Sequence, residues 1–234
     1  MTAKTFSVVV VALALSLAFA SSAQATAVQL TSPASLSAGD TTLDFSGTLG
    51  ATISSPVSYT AGSNALTFSD AGGTFEVVQV STTNCGTTGY CFTAFPLGTN
   101  LLYAAGYYGS DAPITITFAS PVTEVGFNAE EFANGPYTMS FTAYNGATNL
   151  GTFTSSGCDP DPGPCTPSSG VLSFEGVQTS GGDVITSITI SDGNGNDIGL
   201  GPVTFGTTVP EPSSLLMLSF ALGGCGLMRR RKSA

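Results

Sequence analysis

Histidine and tryptophan are absent from the 234 residues, and the five basic residues sit at the two ends, Lys4 near the start and Arg229, Arg230, Arg231 and Lys232 near the finish. The body between them has no cationic side chain of any kind. A Ser-His-Asp triad, a Cys-His pair and a lysine nucleophile are therefore excluded within one chain. Cysteines without any histidine also argue against a zinc or thiol-catalytic centre. Nucleic acid is excluded as a partner, because affinity for a phosphate backbone comes mainly from Lys and Arg. Fifteen carboxylates remain, all but Glu211 between Asp40 and Asp197, so residues 26–208 carry a formal charge of −14 with no cation to pair with. Divalent cations from solvent suit such a surface.

Carboxylate chemistry is what this composition leaves. A glycosidase needs two acids converging on one bond, and Glu130 and Glu131 are the obvious pair. Neighbours along a strand point to opposite faces, so these two converge only in a loop. The plainer reading is a pair of solvated surface acids. No catalytic residue is assigned, and no enzyme is expected.

The ends of the chain are more explicit. Residues 1–25 combine an early Lys4, an apolar run from Val8 to Ala20 and the small-residue site Ala23-Gln24-Ala25, which predicts a signal peptide cut between Ala25 and Thr26. The apolar run is short of the roughly 20 residues that span a bilayer, which argues against a permanent anchor. At the other end, Ser213 to Met228 is apolar or small. As a helix it reaches roughly 24 Å, a short span that snorkelling arginines and local thinning can complete. The positive-inside rule keeps Arg229, Arg230, Arg231 and Lys232 cytoplasmic and leaves the body outside.

Val209-Pro210-Glu211-Pro212, the apolar span and the terminal Arg cluster, in that order, resemble the PEP-CTERM sorting signal. In that family the signal is paired with a signal peptide in exported proteins of Gram-negative bacteria that make exopolysaccharide. The resemblance implies processing near Pro210, Glu211 and Pro212 by exosortase, a membrane-embedded enzyme, after a transient stay in the inner membrane. Physically, the two prolines hold Glu211 in an extended segment that cannot join the helix.

The body, residues 26–208, alternates short Thr-, Val- and Ile-rich runs with Gly, Pro, Asn and Ser. Pro113 to Phe118 and Tyr137 to Ala143 alternate apolar and polar, as half-buried strands do. Asn145-Gly146 predicts a type I′ hairpin turn, with Leu150 facing Phe141 and a bulge at Gly151 that keeps Phe153 on the same face. Further strands are expected at 41–49, 64–69, 74–80, 122–128, 171–177, 184–191 and 198–205. With no helix to cover a sheet, two sheets must cover each other, which predicts an all-β, single β-sandwich, jelly-roll-like. Residues 114–206 also resemble a carbohydrate-binding-like sandwich domain common in PEP-CTERM proteins, through Val122 to Phe127, Phe141 to Gly146, Phe174 to Val177, Ile185 to Ile190 and Ile198 to Gly206. Leu200-Gly201 stand where that family often has an Asp-Asn pair before its last strand.

Cys85 with Cys91, and Cys158 with Cys165, read as two local disulfides in an exported chain. Asp192, Asn194, Asn196 and Asp197 have the alternation of a calcium loop without the downstream bidentate glutamate, and the competing reading is a strand connection. Asp159-Pro160-Asp161 is a weaker candidate. Tyr107, Tyr108 and Asp111, with Tyr103 nearby, are candidates for a shallow glycan site, against tyrosines packing at a sheet edge. The expectation is a structural or adhesive protein of the cell surface or extracellular matrix, with exopolysaccharide or other matrix proteins as partners. No cofactor is required, and calcium is the one candidate. The alternatives are a calcium-assisted carbohydrate-binding module and, more distantly, a carboxylate-only glycoside hydrolase.

Overall fold

Alternation of apolar with hydroxyl side chains becomes a run of antiparallel strands in the structure, a computed structural model that describes residues 27–46, 49–70, 73–80, 94–104, 113–131, 135–160, 165, 170–192 and 197–206. The strands are β1 (Ala27–Leu30), β2 (Thr41–Leu43), β3 (Thr52–Ser54), β4 (Val57–Ala61), β5 (Asn64–Asp70), β6 (Thr74–Gln79) and β7 (Asn100–Ala104). The second half adds β8 (Ile114–Val122), β9 (Glu124–Glu131), β10 (Gly135–Asn145), β11 (Thr148–Asp159), β12 (Ser173–Thr179), β13 (Ile185–Asp192) and β14 (Ile198–Gly206). Among the described residues the one helical element is a short 3-10 turn, Pro33–Ser35, capped by the Ser32 hydroxyl.

Two sheets form. The eight-stranded sheet runs β1-β12-β9-β14-β7-β6-β3, with β2 also paired to β14, and the six-stranded sheet runs β11-β10-β13-β8-β5-β4. From β7 onward the chain passes repeatedly from one sheet to the other, as at β8 to β9, β9 to β10, β11 to β12, β12 to β13 and β13 to β14. This is the double-sheet winding expected of a jelly-roll-like sandwich.

The inward faces supply the core: Leu66, Phe68, Ile116, Met139, Phe141 and Ile188 from one sheet meet Phe75, Leu102, Val125, Phe127, Leu200 and Val203 from the other. Phe45, Tyr59 and Phe68 make a three-ring cluster with edge-on contacts at 5.4, 5.4 and 5.9 Å. Such contacts add to the area burial that dominates core stability. At one open side, Gln29 of β1 donates from its amide to the Thr154 carbonyl of β11 at 2.8 Å, which blunts two sheet edges at once.

The hairpin of β10 and β11 departs from expectation by one residue. Asn145 pairs with Thr148, so the loop is Gly146-Ala147, with Gly146 at φ 58°. The bulge is present: Tyr144 pairs with Asn149 and Ala143 with Gly151, which leaves Leu150 as the extra residue. Phe141 consequently faces Phe153, not Leu150, with ring centroids 5.4 Å apart. Gly151 is needed there because a Cβ would meet the Phe153 ring at 2.7 Å. The run expected at 41–49 is a strand only over Thr41–Leu43, and β1, β3, β4 and β7 were not expected at all.

Candidate functional site

Register places the two ends of the sandwich apart. At one end Ala27 pairs with Thr179, and Glu124 pairs with both Gln178 and Gly206, so the start of the described body and its exit toward the tail lie together. At the other end Glu131 pairs with Ile198, Tyr103 with Gly199, and Asp70 with Ile114. The chain leaves β7 at Ala104, enters β8 at Ile114, leaves β13 at Asp192 and enters β14 at Ile198 at this second end.

The flanks of the glycan and calcium candidates therefore emerge side by side. Tyr103 is buried, and its hydroxyl donates to Asp197 Oδ2 at 2.5 Å, tying the end of β7 to the start of β14. Tyr107, Tyr108, Asp111, Asn194 and Asn196 lie outside the described residues, as do Ala25, Thr26, Cys85, Cys91, Asp161, Pro210, Glu211, Pro212, Arg229, Arg230, Arg231 and Lys232. Asp192 closes β13 opposite Met139. Among the described residues no three Cys, Asp or Glu side chains converge as a metal site. Cys158 and Cys165 do form a disulfide, with S–S 2.05 Å, and Cys158 also pairs through its backbone with Val171.

Glu130 and Glu131 are not solvated surface acids: both are fully buried on β9. The alternation that separates them also decides their surroundings. Glu131 shares its face with Ala129 and Phe127 toward the core, while Glu130 points outward and accepts from the Ala94 amide at 3.2 Å. Segment 94–97 covers it there. Phe95 lies over Gly201, where a Cβ would meet the ring at 2.7 Å, and joins Val80, Leu101 and Tyr103 in a second small core. Leu200 and Gly201 thus lie inside β14, Leu200 in the core and Gly201 under the Phe95 ring.

Glu175 is the acid that sequence reasoning missed. It is fully buried between the sheets, and Ser155 of β11 donates to its Oε1 at 2.5 Å. Burial pushes its carboxyl up to about 7, while Ser155, Ser173 and nearby amides pull it back down. Its neighbour Tyr137 is also pushed up, first by burial and further by Glu130 and Glu175; its hydroxyl donates to the Ala129 carbonyl at 3.0 Å. The residue before Glu175 on β12 is Phe174. Its ring lies on the outer face over Gly126 and Gly176, where Cβ atoms would meet it at 2.7 and 2.5 Å. That parity forces Glu175 inside, with Gly176 beside it paired to Gly126 under the Phe174 ring.

A cleft of about 240 Å³ opens at the terminal end, lined by Asp40, Thr41, Ser63, Asn64, Phe205 and Gly206 among others. The Asp40 carboxyl is raised by burial and then by Glu124, with the Ser37 backbone opposing. Beyond Gly206 the tail begins, and there the comparison with known families is informative: residues 208–232 match the PEP-CTERM protein-sorting motif. No curated protein matches the chain. The motif marks an exported protein that is held transiently in a membrane and processed by exosortase. Among the described residues no helix is long and apolar enough to cross a membrane.

Proposed function

We propose that this is a non-enzymatic structural or adhesive protein of the cell surface or extracellular matrix in an exopolysaccharide-producing Gram-negative bacterium. The observation that carries the reading is the sorting motif at 208–232 on an all-β body. After export the tail holds the body outside the inner membrane, and exosortase cuts near Glu211. From Gly206 to Glu211 is five residues, an extended reach of roughly 17 Å. The end bearing Glu124 and Gly206 therefore stays close to the membrane, and the end bearing Tyr103, Asp192 and Asp197 points away toward the matrix.

The experiment is fractionation of expressing cells into membrane, matrix and medium. Wild type is expected shortened and in the matrix; Glu211→Ala, and deletion of 229–232, are expected full-length in the membrane. Normal release of both variants would sink the processing part, and free wild type in the medium would sink the matrix part.

A second reading, a calcium-assisted carbohydrate-binding module, is favoured by one contact: Asp197 is held by Tyr103 at the edge of the 192–197 segment. Saturable sugar binding that disappears on chelation supports that reading.

A further inference from the structure

Side chains alternate along each strand of the six-stranded sheet, and its inward positions hold Ile114, Ile116, Met139, Phe141, Ile188 and Ile190. The acids on these strands, Asp70, Asp159 and Asp192, fall on the same inward parity. No charged side chain stands on the outward face of these strands; it is almost entirely serine and threonine. Register aligns these residues into rows that cross the sheet. One row runs through Thr152, Thr142, Thr189, Thr115 and Ser69 on five adjacent strands. The next runs through Ser187, Thr117, Thr67 and Ser58. Neighbouring hydroxyls bond within the rows, Thr142 with Thr152 at 2.9 Å, Ser58 with Thr67 at 2.8 Å and Thr115 with Thr189 at 3.4 Å. At about 4.8 Å between strands, the five-residue row is roughly 19 Å long.

We infer that this face is where an uncharged, hydroxyl-rich polysaccharide chain lies, extended along a row. The inference rests on the matrix reading above and names the surface and the ligand class. Charge selects the occupant. A body of formal charge −14 with no cation repels a polyanion. A polycation finds no carboxylate on this face, since all three on these strands turn inward. A neutral polyol meets neither obstacle, and each Ser or Thr hydroxyl both donates and accepts, so the row matches sugar hydroxyls in either sense. Tyr144, paired with Ser187, puts an aromatic ring at the end of the second row. Hydrogen bonds made in exchange for water are individually modest. Binding by one copy is therefore weak, and retention grows as many copies share one polymer.

The test is affinity electrophoresis of the full chain in detergent, through gels containing neutral hydroxyethylcellulose or anionic alginate. Wild type is expected to be retarded by the first and not by the second. The triple variant Thr115→Val/Thr142→Val/Thr189→Val keeps the branched shape and removes the three central hydroxyls of the five-residue row, and at least tenfold weaker retardation is expected. Thr42→Val/Thr204→Val removes a 2.9 Å hydroxyl pair from the other sheet and is expected to behave as wild type. As a second route, Thr189→Lys places a long charged side chain in the middle of the row and should lose retardation by the neutral polymer. Unchanged retardation of the triple variant, equal loss in the control, or wild type that ignores hydroxyethylcellulose each overturns the inference. Cell fractionation keeps the two readings apart: a protein that stays in the matrix yet passes freely through the neutral gel loses this inference alone.

Discussion

The outward faces of the two sheets differ in what covers them. The eight-stranded sheet is roofed by its own chain: Phe95 lies over Gly201, Phe174 over Gly126 and Gly176, and Leu36 also reaches Gly126. Each roof stands on a glycine, because a Cβ would occupy the space of the ring or methyl above it. The six-stranded sheet has no such glycines in its threonine rows, and its outward side chains, apart from the disulfide-bonded Cys158, are half-buried to exposed. One face is thus a second, smaller core, and the other is a polar surface held in register by hydroxyl pairs. Burial, and not strand composition, separates a stabilising face from one available to a partner.

The strongest way to break this contrast is Phe95→Ala. Loss of a ring that is 5% exposed should cost about 3 kcal/mol, read as a lower urea midpoint. The interior between the faces is probed next by Glu175→Gln. The Glu175 carboxyl is raised to about 7 in the fold from its ordinary value of 4.5, so the folded state holds a proton that the unfolded state has lost. Wild type therefore loses stability as pH rises from about 4.5 to about 7, by about 3 kcal/mol in all, and is flat for this group above that. The amide of the variant cannot ionise, so the gap between variant and wild type should open toward pH 8 and close near pH 4; an equal gap at both would refute the assignment. Removing the Cys158–Cys165 bridge with Cys158→Ser/Cys165→Ser should cost about 2 kcal/mol, measured by thermal melting, since the loop it closes is small. Least of all, Thr142→Val alone on the open face should change stability by no more than about 0.5 kcal/mol.

Much of the sandwich was legible because alternation is a local signal. Tyr137, Met139, Phe141 and Ala143 were readable as one face, and all four are buried. Short strands such as β3 and β4 were not, since Ile53 and Val57 are too few to show a period. The candidate sites fared differently. Glu130 and Glu131 looked like surface acids because charge normally means solvent, and nothing local says that segment 94–97 folds back over β9. Glu175 was hidden in the same way: hydrophobicity marks burial but not which side of a sheet provides it, and Phe174 beside it takes the outer face.

By itself the sequence determined the export route, since a sorting motif is read in the order of its residues, and it determined the β class, since an alternating pattern with no helical period buries its apolar side chains by pairing strands into sheets. The tertiary structure alone decided which acids are buried, which ends of the strands gather Tyr103 beside Asp197, and which hydroxyls line up across the sheet. Those are matters of register, and register depends on pairings between residues far apart in the chain. A single bulge, as at Leu150, changes which side chains face one another and is invisible until both strands are in place.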